Sequence, residues 1–383
     1  MARTTLASKH TLERNEILYV AFELSKKTWK LGCSDGLRRQ PRVVGVRAGD
    51  LDGVNREVMR AKKRLGLPPE ASVVSCYEAG RDGFWIHRAL TARGFSNIVV
   101  DPASIEVNRR SRRAKTDRLD AIKLANQLVR WHAGEKGVWG VVRVPSVEDE
   151  DERHLHRGLE ILKRTRRMHR TRIQSLLFAQ GVNLRVKKTF LRDLDTIRLW
   201  DGSPIPDGLR QRLLREHELL DAVQEQIRRI DLQRRAAVDR PKTRKQHMVA
   251  ALMQLYGVGL ESAWLLGMEF FWRRFANRRE VGASAGPTPT PYQSGSSPRE
   301  QGISKAGNGR VRTMMVELAW CWLRFQPASE LAAWYRERFG EGANRKVGLI
   351  ALARRLLIEL WIFVEQGVVP HGARLRLPRA AND

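Results

Sequence analysis

Short apolar runs alternate with turn residues between Ile17 and Asp101, the pattern of a sheet with helices laid over it. Ile17 to Phe22 predicts a strand, Thr28 to Cys33 a second that ends in the turn Ser34-Asp35-Gly36, and Arg42 to Val46 a third. Helical spacing follows from about Leu51 to Leu65, stopped by Gly66 and Pro68-Pro69. Val73 to Tyr77 is again strand-like, Gly83 to Arg93 helical, and Ile98 to Val100 a last strand. Three antiparallel-looking strands followed by strand–helix alternation indicate an α/β or α+β domain. An amphipathic helix through Ile122 to Leu128 closes it near residue 132.

From Leu155 the period changes. Positions four and three residues apart run through Leu155, Leu159, Leu162, Arg166, His169, Ile173 and Leu176. A second seam follows Leu209, Leu213, Glu216, Leu220, Val223, Ile227 and Ile230. Both carry polar interruptions, yet the period is that of a helical hairpin or coiled coil, with Gly181 to Pro206 as its connection. The outward side of the first seam is rich in arginine (Arg153, Arg157, Arg164, Arg167, Arg170, Arg172), which reads as a solvated face or a phosphate-tracking one. Arg240-Pro241-Lys242 breaks the pattern. Leu255 to Ala263 then reads as a helix, a tight turn at Gly257 and Gly259, and a second helix. That is a helix-hairpin-helix whose free turn amides can meet a DNA phosphate, or a plain helix-to-helix turn. Gly286 to Gly309 has no apolar period and reads as an irregular loop. Helices over about Val311 to Arg324 and Val347 to Val364 complete an expected division into three domains, 1–145, 146–245 and 246–383, the first α/β and the rest all-α.

Composition narrows the partners. The 383 residues hold 70 Lys and Arg against 42 Asp and Glu, a formal charge of +28. Such a surplus self-repels unless a polyanion neutralises it, which makes nucleic acid the leading partner. A membrane is not expected: the N-terminus lacks an apolar signal-like core, and Leu349 to Val364 is interrupted by Arg354, Arg355 and Glu359. Cys33, Cys76 and Cys321 are isolated and odd in number, pointing to a reducing compartment and to neither disulfides nor a zinc site. A cytoplasmic, nucleoid-associated prokaryotic protein is the expectation.

The candidate chemistry lies in Lys115-Thr116-Asp117-Arg118-Leu119-Asp120-Ala121, after the basic run Arg109-Arg110-Ser111-Arg112-Arg113. Three-residue spacing puts Asp117 and Asp120 on one helix face, and hard cations such as Mg²⁺ take oxygen ligands of this kind. Arg109, Arg110, Arg112, Arg113 and Lys115 suit a phosphate backbone beside that pair. A solvated helix N-terminus, where Asp is favoured, also accounts for the two acids. Glu23 and Glu78 each leave an apolar strand, Glu78 into a Gly-containing loop. Taken singly they are surface acids beside Lys26 and Arg81. As an ordered set in one basic α/β domain, Glu23, Glu78, Asp117 and Asp120 can gather two Mg²⁺ ions, or Mn²⁺ in their place, for phosphodiester chemistry.

This set resembles the RuvC-type, RNase H-like domain of the DEDD transposases, the insertion-sequence group related to the Piv DNA invertases. Val99-Val100-Asp101-Pro102 resembles that family's strand and turn, and Ser294-Gly295 with Gly302-Ile303-Ser304-Lys305-Ala306-Gly307-Asn308 resembles its second block. The likeness spans about Tyr19 to residue 365. One departure stands out: the family's first acid is usually Asp, whereas Ala21-Phe22-Glu23-Leu24-Ser25-Lys26 supplies Glu, one methylene longer. Asp35 is a conceivable substitute, though it sits in a turn.

The resemblance implies a transposase or site-specific recombinase of double-stranded DNA, with a composite active site in which a serine of the C-terminal block attacks. Ser294 aligns with the Ser-Gly pair, and Ser296 and Ser297 are the fallbacks; read on its own, such a serine is turn chemistry. The resemblance further implies a structured guide RNA and a homodimer or homotetramer. Gly302 to Arg312 reads as a phosphate-handling loop, with Lys305, Asn308, Arg310 and Arg312 as contacts, or as the cap of the next helix. A junction-resolving endonuclease without serine chemistry shares the acid site, and a noncatalytic scaffold shares only the charge.

Overall fold

The computed structural model describes residues 16–37, 40–106, 116–287, 289–294, 297–304, 307–340 and 344–376. Two compact units divide the chain, Met1–Pro145 and Ser146–Asp383.

The first unit is a five-stranded sheet with helices on both faces. Its strands are β1 (Ile17–Glu23), β2 (Thr28–Ser34), β3 (Arg42–Arg47), β4 (Ser72–Glu78) and β5 (Ser96–Val100), in the spatial order β3-β2-β1-β4-β5. The first three pair antiparallel, and β1, β4 and β5 run parallel, as connections through a helix require. The helices α1 (Leu51–Leu65) and α2 (Trp85–Thr91) cover one face, and α3 (Asp117–His132) covers the other. Because successive strand residues point to opposite faces, β1 divides cleanly. Leu18, Val20 and Phe22 join the core under α1 and α2, while Tyr19 and Ala21 join the core under α3.

The second unit is mostly helical. It opens with α4 (Val147–Phe178), the short α5 (Phe190–Asp193) and α6 (Asp207–Asp239). The two long helices lie antiparallel, with Ile173 and Leu177 of one packed in a cluster with Leu213 and Leu220 of the other. The polar interruptions in the two seams meet each other: His169 Nδ1 lies 2.8 Å from a Glu216 carboxylate oxygen. The seams therefore bury against one another within the chain. Four of the arginines on the outward side of α4 also turn to internal partners. Arg153 stacks over Trp272, Arg157 faces Glu269, Arg170 donates to the Val186 carbonyl, and Arg172 pairs with Glu216.

Beyond α6 come α7 (Arg244–Met253), α8 (Leu260–Leu265), which runs on into a π-helical turn over Leu266–Phe270, and α9 (Arg278–Ala285). Then follow β6 (Pro289–Ser294), β7 (Ser297–Ile303), α10 (Gly309–Phe325), α11 (Glu330–Phe339) and α12 (Arg345–Gln366). Apolar positions of α12 from Leu349 to Phe363 form the centre of this core, and no described helix is long and apolar enough to cross a membrane.

Two sequence expectations need correction here. Gly286 to Gly309 is not an irregular loop throughout, because β6 and β7 pair antiparallel within it, with Ser294 opposite Ser297. Pro289, Pro291 and Pro298 masked the strands; in a two-stranded ribbon each strand has an open edge, where a missing N–H is tolerated. The helix α11 also lies in a stretch to which the pattern assigned nothing, although Ser329 caps it by accepting from the Ala332 amide.

Candidate functional site

The acids of the first unit occupy one edge of its sheet. Phe22 and Tyr77 are paired in the parallel register, so Glu23 and Glu78 follow as the next residues of adjacent strands. Alternation puts both on the α3 side: Glu23 continues the face of Tyr19 and Ala21, and Glu78 that of Val74 and Cys76.

The helix supplying the other two acids runs antiparallel to β1. Near its C-terminal end, His132 Nδ1 lies 3.0 Å from the Tyr19 hydroxyl. Near its N-terminal end it crosses β2 at Gly32, the cross-strand partner of Ala21. There the contact is close enough to forbid a side chain: a Cβ on Gly32 would lie 2.5 Å from the Ala121 carbonyl oxygen and 3.2 Å from the Ala125 Cβ. Just before Ala121 stand Asp117 and Asp120, in the first turn of the helix and on the side toward which β1 and β4 end. Thr116 starts the helix there by accepting from the Leu119 amide at 3.3 Å. Asp101, one residue past β5, reaches the same edge but uses one carboxylate oxygen on the Ala103 amide.

Edge and face thus bring Glu23, Glu78, Asp117 and Asp120 to one region. The assembly stops short of a coordination sphere. Among the described residues, no three His, Cys, Asp or Glu side chains converge closely enough to hold a metal ion. The donors suit Mg²⁺ in chemistry and charge, and binding would have to draw the carboxylates together. Asp35, weighed as a substitute for Glu23, accepts from the Leu37 amide in its turn.

In the second unit the backbone of Ser294 ends β6 and that of Ser297 begins β7. Nothing is described of their side chains. Ser296, Lys305, Arg109, Arg110, Arg112, Arg113 and Lys115 lie outside the described residues. The segment after the hairpin is anchored tightly. Gly307 has φ +81°, and a Cβ there would lie 2.2 Å from the Ser284 carbonyl oxygen, so glycine is required twice over. Asn308 caps α10, its side-chain oxygen accepting from the amides of Arg310 and Val311. Arg312 donates to the Ala285 carbonyl. Gly257 takes φ +85° in the turn between α7 and α8, and Gly259 is the N-cap of α8.

The second unit also contains a buried charge cluster that one-dimensional reading did not find. Arg310 reaches Glu269 at 3.0 Å and Glu160 at 2.6 Å. Glu269 is 3% exposed within the π-helical turn, with Arg157 at 3.7 Å. Burial raises the Glu269 carboxyl above its ordinary range, while Arg310 and Arg157 pull it back. The π turn was the available signal in structure, since such turns recur at functional sites; sequence offered none.

Comparison with known proteins gives this geometry its setting. A family model described as "Transposase IS116/IS110/IS902 family" matches residues 249–334, from α7 through the hairpin into α11. The chain is 38% identical over 379 residues to a protein of Sinorhizobium fredii named "Putative transposase y4rJ", covering 94% of this chain and 95% of that one. The chain belongs to the IS116/IS110/IS902 transposase family. A second Sinorhizobium fredii protein, "Putative transposase y4qE", is 27% identical over 350 residues, 83% of this transposase and 82% of its own length. The "Transposase for insertion sequence element IS1328" of Yersinia enterocolitica is 26% identical over 230 residues, 59% and 66% of the two chains. The residues matched by the family model include the serine hairpin of this transposase, whereas the acid edge lies outside them.

Proposed function

We propose that this transposase cuts and rejoins double-stranded DNA at the ends of its insertion sequence, using the four acids of the sheet edge together with Ser294. The observation carrying this reading is the shared placement of Glu23, Glu78 and the first turn of α3 on one face and one edge of the sheet. The strand order β3-β2-β1-β4-β5, with three antiparallel and then two parallel strands, supports the RNase H-like assignment of this unit. Glu23, Glu78, Asp117 and Asp120 would hold Mg²⁺. When bound, the ion supplies activation of the attacking oxygen and neutralisation of charge on the leaving one.

The chain's own step is a phosphodiester exchange. The Ser294 hydroxyl loses its proton as Oγ bonds to phosphorus, the phosphorus–oxygen bond to deoxyribose breaks, and the released sugar oxygen takes up a proton. Reversal with a different sugar hydroxyl rejoins the strand without ATP, because the bond is exchanged rather than hydrolysed. A structured RNA from the element's ends would select the DNA, and the charge of +28 suits a second polyanionic partner. Assembly as a dimer or tetramer belongs to the same reading.

The test is precise excision from a plasmid carrying the gene with its native flanks, read by junction sequencing and by a search for DNA covalently attached to protein. Asp117→Ala and Ser294→Ala should each abolish precise junctions, and Ser294→Ala should also abolish the covalent species. If Ser294→Ala still recombines while Asp117→Ala does not, the Ser294 assignment fails, and Ser296, Ser297 or a hydrolytic RuvC-like mechanism must take its place.

A further inference from the structure

Three segments far apart in the chain meet at one place on the second unit: the turn after α7, the end of α10, and the strap that follows α12. Gln326, fully buried, ties them together. Its amide nitrogen donates to the carbonyls of Tyr256 and Arg374, both at 2.9 Å, and its oxygen accepts from the Arg374 amide at 2.7 Å. The strap adds an antiparallel bridge, Leu255 to Leu375, and a hydrogen bond from the Tyr256 amide to the Arg374 carbonyl. Gly257, at φ +85°, lets the turn close on α10; a Cβ there would lie 3.2 Å from the Phe325 Cβ.

This rigid backbone holds two aromatic rings at the surface, Tyr256 at 39% and Phe325 at 45% exposure. Three arginines lie over these rings. Arg374 and Arg376 lie 5.2 and 5.9 Å from the Tyr256 ring, and Arg324 lies 5.3 Å from that of Phe325. Among the described residues none of these three forms an ion pair. Exposed rings of this kind leave apolar area in water, and the buried amide ties down the backbone that carries Tyr256 and Arg374.

We propose that this platform binds single-stranded nucleic acid, with Tyr256 and Phe325 stacking on unpaired bases and Arg324, Arg374 and Arg376 meeting the phosphates. Every base offers a π-face, but a duplex keeps those faces in its own stack, so the rings favour a strand that is unpaired. The cations reward a polyanion and argue against a purely apolar partner. The inference is independent of the acid edge and of Ser294.

The test uses the full-length protein and labelled 20-nucleotide strands of dT and of rU, each carrying one 2-aminopurine, beside a duplex of equal length. The wild type should quench the 2-aminopurine on binding, as stacking requires. The double variant Tyr256→Ala with Phe325→Ala should weaken single-strand binding by about tenfold or more while duplex binding changes by less than about twofold. Tyr256→Phe, which keeps the ring, should bind like the wild type. The dT and rU arms show whether DNA or RNA is the strand taken. Equal losses on single strand and duplex, or no quenching by the wild type, would overturn the proposal. So would an alanine variant that keeps its melting temperature and its single-strand affinity.

Discussion

Gly32→Ala is the most direct probe of how the sheet positions the acid helix. The added Cβ would sit 2.5 Å from the Ala121 carbonyl oxygen, where ordinary contact begins near 3.4 Å. The obstacle is helix backbone, which cannot swing aside as a side chain does. α3 must therefore retreat by about 0.9 Å, and a displacement of about 1 Å at a reacting centre can cost on the order of 100-fold in rate. Overpacking of this kind destabilises by about 1–3 kcal/mol, and a domain of this size loses roughly 3 °C in melting temperature per kcal/mol. The variant should thus remain folded at 25 °C and lose far more activity than stability. Gly45→Ala is the control: its Cβ would meet the tip of Lys30 at 3.2 Å, a group free to move. Both variants would be assayed for precise excision alongside thermal melting of the purified proteins. If Gly32→Ala excises as well as Gly45→Ala, the acids of α3 do not depend on this contact, and the placement argument fails. If activity is lost only near the melting temperature, the effect is unfolding and the argument fails equally.

Other expectations follow from buried charge and thiols. Arg310→Ala removes the nearest cation from buried Glu269, leaving Arg157 at 3.7 Å as its ion-pair partner, and should destabilise by on the order of 3 kcal/mol at pH 7. A carboxyl raised in the folded state contributes stability at low pH that is lost as pH rises through its folded value. The deficit in denaturant melts should therefore shrink as pH falls toward the ordinary carboxylate range, and a pH-independent deficit would show that Glu269 is not its source. His156 is 1% exposed, and burial, with Arg234 nearby, lowers it to about 4. Its depressed value gives stability that is present above the ordinary histidine range and lost as pH falls toward about 4, so His156→Leu should flatten that part of the pH–stability curve. Burial pushes the Cys33 thiol up to about 12 and the Cys76 thiol well up, whereas Cys321 is only partly covered. Thiol titration of the native protein should find Cys321 reacting first, with all three modified after denaturation; early labelling of Cys33 by peptide mapping would contradict the packing.

The local signals in the first unit were strong enough to read directly. Apolar runs bounded by Gly, Pro and Ser-Asp-Gly turns defined β1, β2, β3, β4 and β5, most clearly in β1 and β4, which are buried on both faces and so apolar along most of their length. Asp117 and Asp120 were legible as neighbours since helical spacing is a local property. The nature of the serine segment was not legible: its prolines resemble loop punctuation, and only pairing between Ser294 and Ser297 makes it a hairpin.

Relations between distant residues were decided by tertiary structure alone. Sequence named Glu23, Glu78, Asp117 and Asp120, but the parallel register and the closeness of Gly32 to Ala121 set them on one edge and face. Arg310 read as a phosphate contact, yet in the fold it turns inward to Glu160 and Glu269. No periodicity could pair Arg234, fully buried, with Glu261, or bring Gln326 to Tyr256 and Arg374. Hydrophobic period specifies which face of an element is buried, and so the sequence determined the elements of the first unit and the long helices of the second, with their inward sides. Which charge meets which depends on how whole elements dock, because Coulomb and hydrogen-bond partners are chosen by distance in space rather than along the chain.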